Sequence, residues 1–149
     1  MYDNKIAEIF TPPNSRCVTA DYGIASTTNI TVHNYGTNDK GVVSVIEGYA
    51  YSVNAEEPGQ LLLHLDGVPA EAPYWVYALG PEVNDQYAYS VVSDDKKSTL
   101  YILARDVDTF NNLYNDEALA IVDKLGFTGP LSKPIPTYQE VDCIYDYKG

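Results

Sequence analysis

Two histidines, two cysteines and 14 tyrosines are the residues of this chain whose side chains offer chemistry beyond packing and simple charge. His33 and His64 each stand alone in the sequence. Two imidazoles with no placed carboxylate make a poor metal or base site, so both read as solvated or capping residues and no metal is expected. Cys17 and Cys143 could be buried thiols, a metal pair or one bridge. With no other Cys and no His close to either, a metal knuckle is disfavoured, and the other two readings stay open. Asn29-Ile30-Thr31 fits an N-glycosylation acceptor at the start of a strand. Asp94-Asp95-Lys96-Lys97 reads as a solvated hairpin turn, and Asp116-Glu117 as acidic residues placed early in a helix. No glycine-rich phosphate loop is present, and neither catalysis nor a cofactor is expected.

The elements that must position these residues follow from periodicity. Apolar and polar residues alternate with a period of two from Cys17 to Ala104, interrupted by clusters of Gly, Asn, Asp and Pro. That is the pattern of successive antiparallel strands. It predicts eight strands, near residues 5–9, 17–24, 29–35, 42–51, 60–66, 74–79, 87–93 and 99–104. After Arg105 the period changes, and Ala118, Ile121, Val122 and Leu125 fall at helical spacing. Asn112 or Asn115 would cap the start of this helix and Gly126 suits the residue past its end. From Pro130 the tail reads as an extended segment. Eight sequential strands close most economically as an up-and-down barrel, which removes both exposed edges and leaves room for one small ligand. A two-sheet sandwich is the alternative from periodicity alone.

Length and charge narrow the function. A chain of 149 residues buries enough surface for one core, and a single domain over residues 1–149 is expected. A net charge of −12 with no cluster of Lys or Arg repels phosphate backbones and anionic bilayers, so nucleic acid is not an expected partner. No apolar stretch approaches the length of a membrane span. The N-terminus lacks the regions of a signal peptide, so export has to be argued from elsewhere.

In order and spacing, four stretches resemble the lipocalin family, in the branch that holds apolipoprotein D and the bacterial outer-membrane members. They are Arg16-Cys17-Val18-Thr19-Ala20-Asp21-Tyr22, Ile46-Glu47-Gly48-Tyr49-Ala50, Pro73-Tyr74-Trp75-Val76 and Tyr101-Ile102-Leu103-Ala104-Arg105. The resemblance covers nearly the whole chain. It implies an all-β, eight-stranded antiparallel up-and-down (calycin) barrel with one C-terminal α-helix packed outside. It also implies a disulfide from Cys17 to Cys143 and hence a secreted, extracellular location, or a periplasmic one in a bacterium. One departure is clear: the family's Gly-x-Trp would fall on Met1-Tyr2-Asp3, and both signature residues are missing. Arg105 matches the Arg that packs on that Trp, so either Asp3 pairs with Arg105 or Arg105 is left partly solvated. The sequence begins almost at the first strand, without the family's usual leader.

The resemblance assigns to the barrel interior Tyr22 on the second strand, Val32 and Asn34 on the third, and Leu63 and Leu65 on the fifth. It adds Tyr74 and Val76 on the sixth, and Tyr101 and Leu103 on the eighth. His33, His64 and Trp75 then fall on the opposite face, and the rows of the fourth and seventh strands stay unassigned. Such a lumen is apolar with a few hydroxyls and one amide, suited to a small hydrophobic molecule carrying one or two polar groups. Fatty acids, retinoids, steroids, carotenoids and bile pigments are the candidate ligands. Leu65 and Tyr101 stand where the branch carries Phe and Trp, which points to a different ligand. Tyr138, Tyr145 and Tyr147 in the tail read as surface or inter-chain packing, which leaves a homo-oligomer open. Two other classes stand beside the carrier. A ligand-free interaction protein, of toxin, allergen or matrix type, would use the outer face and the tail. A lipocalin-type isomerase would need a reactive lumen group, and only Tyr hydroxyls and Asn34 are offered.

Overall fold

The structure, a computed structural model, describes residues 1–11 and 14–145. Tyr147 lies outside the described residues. The chain divides into two compact units, one made of Met1–Phe10 and Trp75–Pro136 and the other of Thr11–Tyr74 and Thr137–Gly149. Both are built of antiparallel strands, and the first also carries the helical segment.

In the second unit, β2 (Arg16–Ile24), β3 (Asn29–Thr37), β4 (Val43–Ser52) and β5 (Gln60–Leu65) follow one another by hairpins and pair in sequence order. The turn before β3 closes on Ser26, whose hydroxyl accepts from the amides of Thr28 and Asn29. The turn before β4 closes on Asn38, whose side-chain carbonyl accepts from the amides of Lys40 and Val42, with Gly41 in the left-handed region at φ 76°. β2 carries a register shift between Arg16 and Thr19, and Cys17 sits there at φ 54°. The bulge turns Cys17 toward Cys143, and the two form a disulfide with a Cα–Cα distance of 5.3 Å. Noncovalent contacts run beside it. The Cys17 amide donates to the Tyr138 carbonyl, Gln139 Nε2 donates to the Val18 carbonyl, and the Arg16 guanidinium lies 3.6 Å over the Tyr138 ring. Tyr138 also donates to Asp142, and Tyr145 to Gln139, so these two tail tyrosines pack within the chain.

In the first unit the strand order is β11 (Ile135–Pro136), β1 (Tyr2–Asp3), β10 (Tyr101–Ala104), β9 (Tyr89–Ser93) and β6 (Ala72–Leu79, from Trp75 on), with β7 (Glu82–Val83) and β8 (Gln86–Tyr87) as a separate small hairpin. The helical segment runs through α1 (Val107–Thr109), a π-turn (Phe110–Tyr114) and α2 (Asn115–Lys124). Its apolar side meets one face of the strands, where Tyr89, Val91, Leu100, Ile102, Phe110, Ala118, Val122 and Phe127 form the buried core. Gly126 at φ 99° ends the helix as expected. The Phe127 amide reaches back to the Val122 carbonyl while the two side chains bury together, a Schellman closure.

Three expectations are corrected. The strand expected at 5–9 is replaced by β1 and a 3-10 turn over Ala7–Ile9. Asn4 causes this: it is fully buried, its Oδ1 accepts from the Ala7 amide, and its Nδ2 donates to the carbonyls of Ser98 at 2.8 Å and Ser132 at 3.2 Å. The helix starts earlier than its apolar spacing announces. Asp106, not Asn112 or Asn115, caps it by accepting from the Thr109 amide, and the Thr109 side chain together with that amide holds its carboxyl below the usual range. Asn115 instead accepts from the Tyr2 hydroxyl. The tail is extended over Ile135–Pro136, which joins the sheet edge as β11 beside β1, but it is not extended throughout: it turns where the Ser132 and Lys133 amides donate to the Gly129 carbonyl and again where the Cys143 amide donates to the Glu140 carbonyl.

Asn4→Ala leaves two carbonyls and one amide without their buried partner, and is expected to cost about 3 kcal/mol, read as a lower urea midpoint at unchanged slope. Because polar contacts also hold the tail on β2, removing the bridge by Cys17→Ser with Cys143→Ser is expected to cost about 2–4 kcal/mol, below the nearly 5 that loop entropy alone gives for so long a loop. The unmodified protein is expected to show no free thiol under denaturing conditions.

Candidate functional site

Side chains alternate across a strand, so residues directly opposite on paired strands share a face. In the second unit Tyr22 pairs with Val32, Val32 with Gly48 and Gly48 with Leu65, which makes one transverse row. The next rows on this face are Ala20, Asn34 and Ile46, and then Ile24, Ile30, Ala50 and Leu63. The expected ligand residues Tyr22, Val32, Asn34, Leu63 and Leu65 therefore share one face. Register also assigns the fourth strand, which sequence had left open: Ile46, Gly48 and Ala50 belong to the same face. Gly48 is fixed there by close approach, since a Cβ at this position would fall 2.0 Å from the His64 carbonyl oxygen.

Tyr22 and Tyr74 meet in this unit. Their rings stand edge to face with centroids 6.4 Å apart, and their hydroxyls are 2.8 Å from each other. Burial raises the Tyr22 pKa, against the opposing effect of the Tyr74 hydrogen bond, yet Tyr22 keeps 46% of its surface accessible. That combination describes a side chain ringed by protein and still open to solvent. A phenol hydroxyl both donates and accepts, so the pair places polar atoms beside an otherwise apolar face.

In the first unit the two faces are distinguished by the helix. Tyr2, Ala78, Val91 and Ile102 belong to its side, whereas Val76 pairs with Val92, Val92 with Tyr101 and Tyr101 with Asp3 on the opposite face. Leu103 lies on that face too, paired with Ser90. Val76, Tyr101 and Leu103 are thus brought together, and the seventh strand is assigned with Ser90 and Val92 beside them. Asp3 is the member of the row that sequence reasoning missed. Its burial, with a smaller push from Glu8, raises its carboxyl to about 6 against the opposing influence of a hydrogen bond from its own backbone amide and, less, of Lys5. The signal was the alternation itself, since Tyr2 turned to the helix leaves Asp3 on the other face. The expected alternatives for Asp3 and Arg105 resolve in favour of solvation, as Arg105 is exposed and its Nε donates to the Tyr87 carbonyl.

His33, His64 and Trp75 fall on the other faces, as expected. His33 pairs across to Glu47, with Nδ1 3.2 Å from the carboxylate, and its ring stacks with Tyr35. His64 stacks on Tyr49 at 4.8 Å between ring centroids. The two histidines have different neighbours, and among the described residues no group of three His, Cys, Asp or Glu side chains is arranged to hold a metal. Trp75 neighbours Tyr77, whose hydroxyl donates to the Asp94 carbonyl. Asn29, the glycosylation candidate, is exposed at the start of β3.

Because the folded protein holds a proton on Asp3 more tightly than the unfolded chain does, ionisation of Asp3 opposes folding. The penalty is complete above about pH 6 and absent below about pH 4. Asp3→Asn is therefore expected to stabilise by about 1 kcal/mol at neutral pH, solvent screening having reduced the value implied by the shift, and to change nothing near pH 3.5. Urea unfolding at the two pH values reads this difference.

Comparison with known proteins agrees with this geometry. The family model described as a lipocalin-like domain matches residues 4–135. Apolipoprotein D of Macaca fascicularis is 38% identical over 78 residues, covering 52% of this chain and 41% of that protein. Apolipoprotein D of Oryctolagus cuniculus is 37% identical over 62 residues, covering 42% of this chain and 33% of that protein. The matches thus span less than half the length of these relatives. The family match extends over most of the chain, from the residue after β1 to the start of β11, and takes in β2 to β10, the helical segment and every expected ligand residue: the chain belongs to the lipocalin family.

Proposed function

We propose that the chain binds and carries a small hydrophobic molecule in the interior of its lipocalin fold, without catalysis, in an extracellular or periplasmic setting. The ligand-facing residues are Tyr22, Val32, Asn34, Leu63, Leu65 and Tyr74 in one unit and Val76, Tyr101 and Leu103 in the other. The observation that carries the reading is the apolar face of β2 to β5, continuous in register and bearing the Tyr22–Tyr74 hydroxyl pair. An apolar surface with a few fixed polar groups suits a molecule that is hydrophobic along its body and polar at a point. Removing about 300 Å² of apolar ligand surface from water contributes on the order of 7 kcal/mol before association costs, enough for micromolar affinity. The Cys17–Cys143 disulfide supports an oxidising compartment, and among the described residues no helix is long and apolar enough to cross a membrane.

Two measurements test this. Extraction of the natively produced protein with organic solvent, followed by mass spectrometry, should recover a bound hydrophobic molecule. Titration with fatty acids, retinoids, steroids, carotenoids and bile pigments should give at least one dissociation constant below about 100 μM. An empty protein that binds none of them would overturn the carrier. Tyr74→Ala and Tyr101→Ala should each weaken binding by about tenfold, whereas His64→Ala should leave it unchanged. The reverse ordering would place the ligand on the other face.

A further inference from the structure

Asp3 is an uncommon group to find on an otherwise apolar face. Its pairing with Tyr101 on one side and Ile135 on the other is fixed by register, and the same row continues through Val92 to Val76. All these residues belong to one unit. The direction of its side chain is settled by its neighbour, because the Tyr2 hydroxyl reaches Asn115 on the helical side. The charged groups near it do not neutralise it. Lys5 is held by Glu8, with Nζ 2.6 Å from the carboxylate, and Glu8 itself adds repulsion. Tyr101 is the titratable group facing it from β10, and β11 contributes Ile135. Among the described residues Asp3 has no ion pair. A partly desolvated carboxylate without a counter-charge gains most from a bound group that brings one.

We propose that Asp3 selects the polar end of the ligand: on the face it shares with Tyr101, Val92 and Val76 it favours an apolar molecule ending in a protonated amine over one ending in an anion. This rests on the carrier reading above and adds to it the charge of the ligand. A neutral hydroxyl carries no charge for Asp3 to attract or repel, so its binding depends little on Asp3. Acid removes the preference, because protonation of the carboxyl, raised as it is by burial, abolishes the charge that attracts the amine.

The experiment uses three probes with one apolar body, dodecylamine, dodecanol and dodecanesulfonate, whose heads keep their charge across the range. Each is titrated in competition with a neutral fluorescent probe, against the whole chain and against Asp3→Asn. At about pH 7.5 the unmodified protein should bind the amine about tenfold more tightly than the sulfonate, and at about pH 5 this ratio should fall to about two or less. Asp3→Asn should bring the ratio near one at both pH values while shifting dodecanol affinity less than about threefold. Dodecanol binding together with an amine preference that survives Asp3→Asn would overturn this inference and leave the carrier standing. Should the variant not fold, an unchanged ratio between the two pH values in the unmodified protein would overturn it equally. Failure of all three probes to bind would overturn this inference, while the carrier reading is decided separately by the extraction and the ligand panel above.

Discussion

Strand register is the constraint on which every other feature of this molecule rests. A slip of one residue on any strand would carry its whole apolar row to the opposite face, since side chains alternate with a period of two. Register in the second unit is pinned by chemistry at its ends and by a steric lock at its middle. The Ser26 and Asn38 turns set the offsets of β2 against β3 and of β3 against β4. Gly48 leaves space only for a hydrogen where β4 passes the His64 carbonyl, so no side chain can stand at that point of the row. Tyr22, Val32 and Leu65 reach one row because of these local conditions, and none of the three touches the turns that place it.

The first unit achieves the same end by different means. Its strands are short, and β1 is only two residues long, too little to fix a register by ladder bonds alone. Asn4 compensates. One buried amide ties the N-terminal segment to Ser98, beside β10, and to Ser132, just before β11, so the three strands that need aligning share an anchor. The helical side contributes the second fixed point, because Tyr2 packs against the core and donates to Asn115. With Tyr2 held on one face, Asp3 must occupy the other. The cost of desolvating its carboxylate is thus a consequence of how the strand is anchored, and only a ligand with a compensating charge would recover it.

What the sequence made legible was whatever local pattern encodes. Seven of the eight expected strands lie where two-residue alternation placed them, because alternation is written residue by residue and reads directly as two faces. The first did not, since Lys5-Ile6-Ala7-Glu8-Ile9 fits one helical turn as well as a strand, and the choice was made by Asn4 bonding to residues near the far end of the chain. The helix onset was obscured for a similar reason. Asn111 and Asn112 are weak helix formers, and the segment persists through them because Phe110 and Tyr114 pack against Tyr89. The rows of the second, third, fifth, sixth and eighth strands came from family resemblance and those of the fourth and seventh from pairing, which no single strand announces. Asp3 was read only as a possible partner of Arg105, because the alternation of a two-residue strand becomes readable only once Tyr2 is placed on the helical side.

The surplus of tyrosine and the surplus of acid turn out to be linked. Phe would serve wherever only apolar area is needed, yet this chain has 3 Phe against 14 Tyr. Six of the described tyrosines bridge an apolar surface and a hydrogen-bond acceptor. Tyr51 donates to Glu71, Tyr89 to Glu117 and Tyr138 to Asp142, while Tyr2 and Tyr145 donate to side-chain amides and Tyr77 to a backbone carbonyl. In a protein with few Lys and Arg, carboxylates near the surface lack cations to receive, and the phenol supplies a donor while its ring covers the sheet. The adjacent carboxylates in turn raise the Tyr51 and Tyr138 pKa values, and burial together with Glu117 raises that of Tyr89, so these hydroxyls stay protonated as donors. Tyr22 and Tyr74 stand apart from this pattern, since each meets the other's hydroxyl in place of an acid. The difference lies in the chemistry of the partner: a phenol can both donate and accept, whereas a carboxylate only accepts.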